Sequence, residues 1–259
     1  MRNEPRRHEG HKGRLLPAAH PLCSLCLCGS LLFSTAYAQR PERGRTEYLG
    51  RSIAQTMHYL GAPWLVRESR EREEEPAKLL ASLGVEPGQT VCDLGCGNGF
   101  YSLALAEHVG PKGKILAVDI QREMLQMLKE RAKARGIPNI KTIRGKVNDP
   151  RLPAGELDLV LLVDVYHEFS HPEEMLAKMR ESLRPEGRVA LVEFREEDPA
   201  VPIQPLHKMS QAQCLKEFEA NGYKLIGQYD ELPWQHVLFF ARDDSPLEKV
   251  ELKPWTPAQ

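Results

Sequence analysis

In the stretch Val91-Cys92-Asp93-Leu94-Gly95-Cys96-Gly97-Asn98-Gly99-Phe100, an apolar run leads straight into a glycine-rich turn. In such a turn Gly95 permits the tight bend, Gly97 leaves room for a ligand, and Gly99 lets the next helix pack against the strand. The N-terminus of that helix offers free N–H groups and a positive dipole end to an anionic or carboxylate-bearing ligand. The stretch therefore predicts a ligand-binding loop between strand and helix, with a bare tight turn as the alternative.

Two acidic residues accompany this loop. Asp119 follows Gly95 by 24 residues and ends the next predicted strand, where a carboxylate accepts hydrogen bonds from both ribose hydroxyls of an adenosine. Asp93 lies at the tip of the first strand, where it can meet the ammonium of an amino-acid group. Because residue 100 is Phe, the glycine spacing is G-x-G-x-G, which favours a nucleoside sulfonium over a dinucleotide pyrophosphate.

From residue 90 onward, short apolar runs alternate with amphipathic helical patterns, as in βαβ units. The patterns predict parallel strands over 90–94, 115–119, 140–143, 157–163 and 188–193. They predict helices over 101–109, 122–135, 172–183 and 211–221, and an antiparallel hairpin of strands 224–229 and 236–241. The expected fold is α/β, a doubly wound, Rossmann-like and mostly parallel sheet with a C-terminal antiparallel hairpin and an N-terminal helical extension.

The first 38 residues differ from the rest. Basic residues precede an apolar stretch from Leu22 to Phe33, which ends in Ala36-Tyr37-Ala38, the layout of a secretory signal peptide. We expect a signal peptide over 1–38, a helical extension over 39–75, the catalytic domain over 76–242 and a C-terminal tail over 243–259. Apolar residues recur at helical spacing from Arg51 to Leu83, and Pro76 is expected to begin a second helix over 77–83. Cleavage would export the protein to the periplasm or medium; a retained leader or a start at Met57 would leave it cytoplasmic.

The composition of the chain limits the classes of partner that we expect it to bind. The chain is 41% hydrophobic and 27% charged, with a net charge of -1, so it lacks the excess of Lys and Arg that nucleic-acid binding needs. The apolar run of the leader is too short for a stable membrane span. Cys92, Cys96 and Cys214 are the cysteines outside the leader, which excludes a disulfide framework. We expect a small-molecule acceptor, and the oligomeric state stays open.

Between about Pro76 and Arg242 the chain resembles the class I methyltransferases, the group that includes the ubiquinone/menaquinone C-methyltransferases and the arsenite methyltransferases. The resemblance rests on the D-x-G-x-G-x-G loop, Val118-Asp119, Leu157-Asp158-Leu159-Val160 and Leu183-Arg184-Pro185-Glu186-Gly187-Arg188. It implies methyl transfer from S-adenosyl-L-methionine. The residues that it implies for cofactor binding are Asp93, Gly95, Cys96, Gly97, Asn98, Gly99, Asp119, Ile120, Val147 and Asp164. Lys146 stands where the family often has an acidic residue facing the adenine, so the backbone at Val147 is expected to serve instead.

Polar residues follow the fourth predicted strand, at the edge of the sheet where open α/β folds bind ligands. Tyr166, His167 and Glu168 are the candidate catalytic residues; the alternative is a hydrogen-bonded loop network. If the acceptor is a hydroxyl or an acidic carbon, His167 or Glu168 could take its proton. Other polar residues that could reach the same face are Glu193, His207-Lys208-Met209 and Trp234-Gln235-His236. Ordinary surface or loop roles are the more common ones for such residues.

The segment His167-Glu168-Phe169-Ser170-His171 also spells HExxH, the zinc-hydrolase pattern. Two such histidines face one metal only on a continuous helix, and the residue before Pro172 is disfavoured in helical geometry. We therefore expect no metal there. Two further alternatives are an NAD-dependent oxidoreductase, which needs a different glycine spacing, and a binding module that holds the cofactor without catalysis.

Overall fold

The computed structural model describes residues 44–257, so the predicted signal peptide over 1–38 lies outside the described part of the chain. A central eight-stranded sheet carries helices on both faces. The described strands are β1 (Glu47–Tyr48), β2 (Arg51–Ser52), β3 (Thr90–Leu94), β4 (Lys114–Asp119), β5 (Ile140–Arg144), β6 (Leu157–Val163), β7 (Leu183–Arg195), β8 (Lys208–Met209), β9 (Tyr223–Tyr229) and β10 (Gln235–Arg242). The α-helices are α1 (Arg70–Glu73), α2 (Pro76–Ser82), α3 (Phe100–Val109), α4 (Arg122–Arg135), α5 (Pro172–Ser182) and α6 (Gln211–Glu219). The described 3₁₀ helices are Tyr59–Val66, Tyr166–Glu168 and Pro205–His207.

The main sheet has the strand order β5-β4-β3-β6-β7-β10-β9, and β8 pairs with β7 off this path. Strands β3 to β7 pair in parallel, whereas β10 pairs antiparallel with both β7 and β9. The prediction of a doubly wound, mostly parallel sheet with a C-terminal hairpin is therefore confirmed. Strand β7 begins at Leu183, earlier than the predicted Arg188.

The strands are continuous apolar runs because helices cover both faces of the sheet. On one face Leu125 and Leu128 of α4 pack in a cluster that also contains α3. On the other face Met179 of α5 and Phe218 of α6 pack against β6 and β7. Burial of each such side chain stabilises the fold by about 1.5–3 kcal/mol before chain entropy is counted.

Strand β3 lies between β4 and β6, and the chain leaves it toward β4 before returning to β6 on its other side. At such a switch point the connections at the carboxyl ends of neighbouring strands diverge and leave a crevice. The glycine loop follows β3, and the loop with Tyr166–Glu168 follows β6. Both predicted site segments therefore meet at the same edge of the sheet.

The N-terminal extension is less helical than predicted. Residues 44–75 contain the β1–β2 hairpin, the 3₁₀ helix Tyr59–Val66 and the single-turn α1, with an irregular stretch over 53–58. Pro63 within the 3₁₀ helix cannot donate a backbone hydrogen bond. The irregular stretch uses backbone N–H groups for contacts far along the chain, such as Ala54 N to the His167 carbonyl (3.1 Å). Tertiary hydrogen bonds thus replace the helix that the apolar spacing suggested.

The C-terminal tail packs along the sheet edge. Val250 donates to the carbonyl of Leu225 at 2.9 Å, and Lys253 donates to the Gln228 side chain at 2.7 Å. None of the helices between residues 44 and 257 has both the length and the apolar content that a membrane span requires.

Candidate active site

The glycine loop has the conformation that its sequence requires. Gly97 and Gly99 have φ angles of 51° and 83°, in the left-handed region that glycine adopts without a Cβ penalty. A Cβ on Gly97 would lie 2.6 Å from the Leu65 Cδ1, and one on Gly99 would lie 2.1 Å from the Leu128 Cδ1. The Cβ direction of Gly97 therefore points at Leu65 of the N-terminal extension, while the Gly97 backbone lines the cleft in front of the loop.

Asp119 links the end of β4 to the glycine loop. Its Oδ2 accepts a hydrogen bond from the Gly97 N–H (3.0 Å), and its Oδ1 accepts one from the Gln121 N–H (2.7 Å). Burial raises the pKa of Asp119, although these backbone hydrogen bonds favour its charged form. Each carboxylate oxygen has a second acceptor site, so the pair can still receive two hydroxyl protons of a ribose.

Asp93 lies behind the loop. Its Oδ2 accepts a hydrogen bond from the Ser102 hydroxyl at 2.5 Å, and the residue is 4% exposed. Burial raises the pKa of Asp93 to about 6, and the nearby charge of Asp119 adds to the shift. Asp93 does not line the cleft in front of the loop. Its contact with the ammonium of a bound amino-acid group stays a prediction.

The cleft in front of the loop has an empty volume of about 780 Å³, including its open mouth. Six of the predicted cofactor residues line it: Gly95, Gly97, Asp119, Ile120, Val147 and Asp164. The other four, Asp93, Cys96, Asn98 and Gly99, are buried behind the loop surface. Asn98 has a bracing role there, because its amide donates to the Ala62 carbonyl (3.1 Å) and its side-chain oxygen accepts from Arg131 (2.9 Å).

A closing segment, defined here as residues 54–62, runs along this cleft. Gln121 fixes its middle: the Gln121 amide donates to the Met57 carbonyl (2.8 Å) and accepts from the Tyr59 N–H (2.7 Å). The Met57 N–H donates to Glu168 Oε1 at 3.1 Å. The segment thus joins the carboxyl end of β4 to the loop after β6. This role could not be predicted from the sequence, because no local pattern in the segment indicates it.

Asp164 stands where the loop leaves β6, with a φ of 50° that is uncommon for a residue other than glycine. Its Oδ2 accepts a hydrogen bond from the Gln235 amide at 2.7 Å. Its Oδ1 is buried and has no hydrogen-bond partner among the residues that the structure describes. Burial raises the pKa of Asp164 well above its usual value. An orphaned buried oxygen in a strained residue is typical of a ligand-binding position.

His167 is held by Glu193, at the end of the neighbouring strand β7. The His167 Nδ1 lies 2.7 Å from Glu193 Oε2, and the His167 N–H donates to Glu193 Oε1 (3.1 Å). The His167 Nε2 lies 3.0 Å from the Nδ1 of His207. Burial disfavours the charged imidazole, but the charge and hydrogen bond of Glu193 together outweigh burial and raise the pKa of His167. Glu193 and His207, which the sequence only noted, are therefore direct partners of the predicted catalytic histidine.

Glu168 borders two cavities. Burial raises its pKa to about 7, against the lowering effect of His167. It lines the cofactor cleft and also a second cavity, with an empty volume of about 1030 Å³ including its mouth. The residues shared by both are Met57, Asp164 and Glu168. The remaining wall of the second cavity includes Trp64, Leu65, Val163, Phe194, Pro202, Ile203, His167 and His207.

Tyr166 does not belong to this site, which corrects the prediction. Its hydroxyl donates to Glu217 Oε2 at 2.8 Å, and its ring packs against Phe218 at a centroid distance of 5.2 Å. Arg51 holds the same carboxylate at 2.7 Å. Tyr166 lines neither cavity, because successive residues of the tight 3₁₀ turn point in different directions.

The HExxH segment does not form a helical metal pair. His167 belongs to the 3₁₀ helix Tyr166–Glu168, whereas His171 precedes α5 with a φ of -134° and a ψ of 62°. The His171 Nδ1 lies 2.9 Å from the Ser170 hydroxyl. The two histidines therefore lack the continuous helical turn on which the zinc-hydrolase pattern depends.

A doubly wound sheet with a glycine loop at its switch point and a carboxylate at the next strand end defines a nucleoside-binding α/β protein. Residues 85–237 match the family model described as a methyltransferase domain. The structure is similar to a SAM-dependent methyltransferase from Aquifex aeolicus, with 25% identity and a TM-score of 0.67, covering 71% of this chain and 98% of that one. The chain belongs to the methyltransferase domain family, within the class I S-adenosylmethionine-dependent methyltransferases.

Two curated relatives cover shorter stretches. A nocamycin O-methyltransferase from Saccharothrix syringae is 32% identical over 114 residues, which are 44% of this chain and 41% of the relative. A ubiquinone/menaquinone biosynthesis C-methyltransferase from Cupriavidus taiwanensis is 32% identical over 148 residues, which are 57% of this chain and 58% of the relative. The chain thus spans less than two thirds of the length of either relative.

Proposed function

We propose that the protein transfers the methyl group of S-adenosylmethionine to a small acceptor that loses a proton, such as a hydroxyl or an acidic carbon. One observation carries this proposal. The cofactor cleft and the second cavity meet at Asp164 and Glu168, with His167 and His207 beside the junction. Two ligands bound in these cavities would meet where the ionisable side chains lie.

The residues of the cleft fit the cofactor. Asp119 would bind the ribose, and Ile120 and Val147 would border the adenine, since both line the cleft on the Asp119 side of the loop. The unpartnered oxygen of Asp164 suits the ammonium of the methionine part, in place of the buried Asp93. When bound, the cofactor supplies an activated methyl group, so the main tasks of the protein are to position the acceptor and to exclude water.

The second cavity suits an acceptor with an apolar body. Trp64, Phe194 and Ile203 provide aromatic and aliphatic wall. The two arginines of the cavity are already paired: Arg67 with Glu73 and Glu74, and Arg70 with Glu74 (2.6–2.7 Å). They leave no unpaired positive charge for an anionic group. We therefore assign the second cavity to an uncharged, largely apolar acceptor, and name it the acceptor cavity.

The named relatives support this acceptor class. One is an O-methyltransferase and the other a C-methyltransferase of quinone biosynthesis. In both reaction types the acceptor gives up one proton as the new bond to the methyl carbon forms and the bond from sulfur to that carbon breaks. The side chains at the junction of the two cavities are placed to handle that proton.

Transfer of a labelled methyl group tests the proposal. The full chain is incubated with methyl-labelled S-adenosylmethionine and a fractionated extract of the native host. Asp119→Ala serves as the control that weakens the cofactor site. At a cofactor concentration near the wild-type Kd, label should move into a small, organic-soluble product with the wild type and much less with Asp119→Ala. Cofactor binding without transfer to any fraction would instead favour the non-catalytic binding module.

We also propose that the protein is exported, on the sequence pattern over 1–38 alone. The mature protein would then begin at Gln39. Intact-mass measurement of the protein from its native host tests this proposal. A product that still carries Met1, or one that begins at Met57, would contradict it.

A further inference from the structure

We propose that His167, Glu168 and His207 form a binding site for a divalent transition-metal ion such as Zn²⁺ at the inner end of the acceptor cavity. Each residue offers one ligand atom, and the three atoms lie within 4.8 Å of one another. Two imidazole nitrogens and one carboxylate oxygen are a common ligand set for zinc. Catalytic zinc sites use three protein ligands and leave a further position open for water or substrate.

The nitrogen positions are close to those that a metal requires. The His167 Nε2 and His207 Nδ1 are 3.0 Å apart. Two nitrogens bound to one tetrahedral zinc at about 2.05 Å each are about 3.3 Å apart. A displacement of a few tenths of an ångström would therefore admit the ion between them, at the expense of one histidine–histidine hydrogen bond.

Residues around the cluster orient its ligands. Glu193 accepts from the His167 Nδ1 at 2.7 Å, which leaves the Nε2 lone pair directed at the cluster. The Met57 N–H holds Glu168 Oε1 at 3.1 Å. A carboxylate behind a metal-bound histidine is the usual arrangement in zinc sites, where it fixes the tautomer and the ring orientation. Because Glu193 is fully buried on β7, it can hold His167 rigidly.

This site and the HExxH pattern share His167 but differ in the second histidine, which is His207 in this site and His171 in the pattern. His207 lies 40 residues after His167 in sequence and ends the 3₁₀ helix Pro205–His207. His171 is not part of the cluster. The two arrangements therefore make opposite predictions for the same pair of substitutions, His171→Ala and His207→Ala.

The chemical role of the ion rests on the proposed function. A bound ion would define the class of acceptor more narrowly. A hydroxyl bound to such an ion loses its proton to water near neutral pH, as zinc-bound water does. The resulting oxyanion would attack the methyl carbon: an oxygen–carbon bond forms, the sulfur–carbon bond breaks, and S-adenosylhomocysteine leaves. The step needs no further reactant. It assigns the acceptor to oxygen nucleophiles, such as phenols or enols.

Metal titration tests the site without reference to turnover. The full chain is stripped with a chelator and titrated with Zn²⁺ in a calorimeter, and with Co²⁺ by visible absorption. The wild type should bind one ion. The affinity should fall at least tenfold in His167→Ala and His207→Ala, and by about 10- to 100-fold in Glu193→Gln, which perturbs the residue behind His167. His171→Ala is the matched control and should bind like the wild type.

Several outcomes would overturn the site: no ion bound by the wild type, unchanged affinity in His207→Ala, or loss of the ion in His171→Ala alone. Thermal stabilisation by S-adenosylhomocysteine, measured on each variant, shows that a weak binder is still folded. The two proposals can fail separately. A chain that binds Zn²⁺ but never transfers methyl groups contradicts the proposed function only, whereas a chain that transfers methyl groups but binds no Zn²⁺ contradicts the metal site only. Full methyl transfer after chelation contradicts the chemical role of the ion.

Discussion

The cofactor cleft and the acceptor cavity share three residues but are built in different ways. The cofactor cleft contains the turns at the ends of β3 and β4, where hydrogen bonds such as Gly97 N–H to Asp119 fix the backbone. The acceptor cavity is enclosed by side chains from segments far apart in sequence, among them Trp64, Phe194 and His207. Because backbone geometry is common to a fold and side chains are not, the proposed acceptor cavity is the one expected to determine which acceptor binds.

The largest effect should follow a change on the acceptor side. In His167→Ala, turnover should fall by about 10²–10⁴, the range expected when a group that handles the acceptor's proton is lost. The affinity for S-adenosylhomocysteine should stay close to that of the wild type. Steady-state kinetics and calorimetry on the same preparation measure both quantities. Full activity in the variant would reduce His167 to a structural residue and remove the distinction between the two cavities.

A substitution in the cofactor cleft should lower cofactor affinity more than turnover. Asp119→Ala should weaken the binding of S-adenosylhomocysteine by about 1–3 kcal/mol, because charge-assisted hydrogen bonds to the ribose are lost. At saturating cofactor, turnover should recover most of its wild-type value. Calorimetric titration of the wild type and of Asp119→Ala with S-adenosylhomocysteine measures the two affinities. Equal affinities would show that Asp119 does not bind the ribose.

The buried carboxyl behind the glycine loop should make stability depend on pH. The pKa of Asp93 is about 6 in the folded chain and near 3.8 when unfolded, so the folded state binds the proton more tightly. Its contribution is present below pH 4 and is lost as the pH rises through about 6, by about 3 kcal/mol in all. Denaturant unfolding between pH 4 and 7 should show this difference between the wild type and Asp93→Asn. If the free energy of unfolding depends on pH equally in both proteins, the raised pKa of Asp93 is contradicted.

The smallest effect should come from the segment that borders both cavities. Gln121→Ala removes two hydrogen bonds to the closing segment and should weaken S-adenosylhomocysteine binding by about 1–2 kcal/mol. Acceptor KM should rise along with it, since Met57 of the segment lines both cavities. Limited proteolysis within residues 54–62 should become faster. A variant with altered acceptor KM alone would show that the segment belongs to the acceptor cavity only.

The sequence predicted those features that depend on local patterns. Gly97, Gly99 and Asp119 lie in the predicted loop and strand end, because their conformations follow from neighbouring residues. The β6 loop was located correctly, but Tyr166 was wrongly placed in the site, since the direction of a side chain in a 3₁₀ turn depends on packing against Phe218. His207 could only be noted, because its approach to His167 depends on the path of a loop 40 residues away.

The conformation of the N-terminal extension also could not be predicted from local sequence patterns. Its apolar spacing predicts a helix, yet the backbone of residues 54–62 is committed to Gln121, His167 and Glu168. Those partners are distant in sequence, so no local propensity reports them. Long-range hydrogen bonds therefore set the conformation of residues 54–62, in the extension where the predicted secondary structure was mostly wrong.

The binding of S-adenosylhomocysteine tests the central claim most directly. The full chain is heated in a calorimeter alone, with S-adenosylhomocysteine, and with NAD at the same concentration. A ligand that binds only the folded state stabilises it by RT ln(1 + [L]/Kd), about 2.7 kcal/mol at a hundred times Kd. We predict a clear rise in Tm with S-adenosylhomocysteine, a smaller rise in Asp119→Ala, and none with NAD. A rise with NAD and none with S-adenosylhomocysteine would contradict the account.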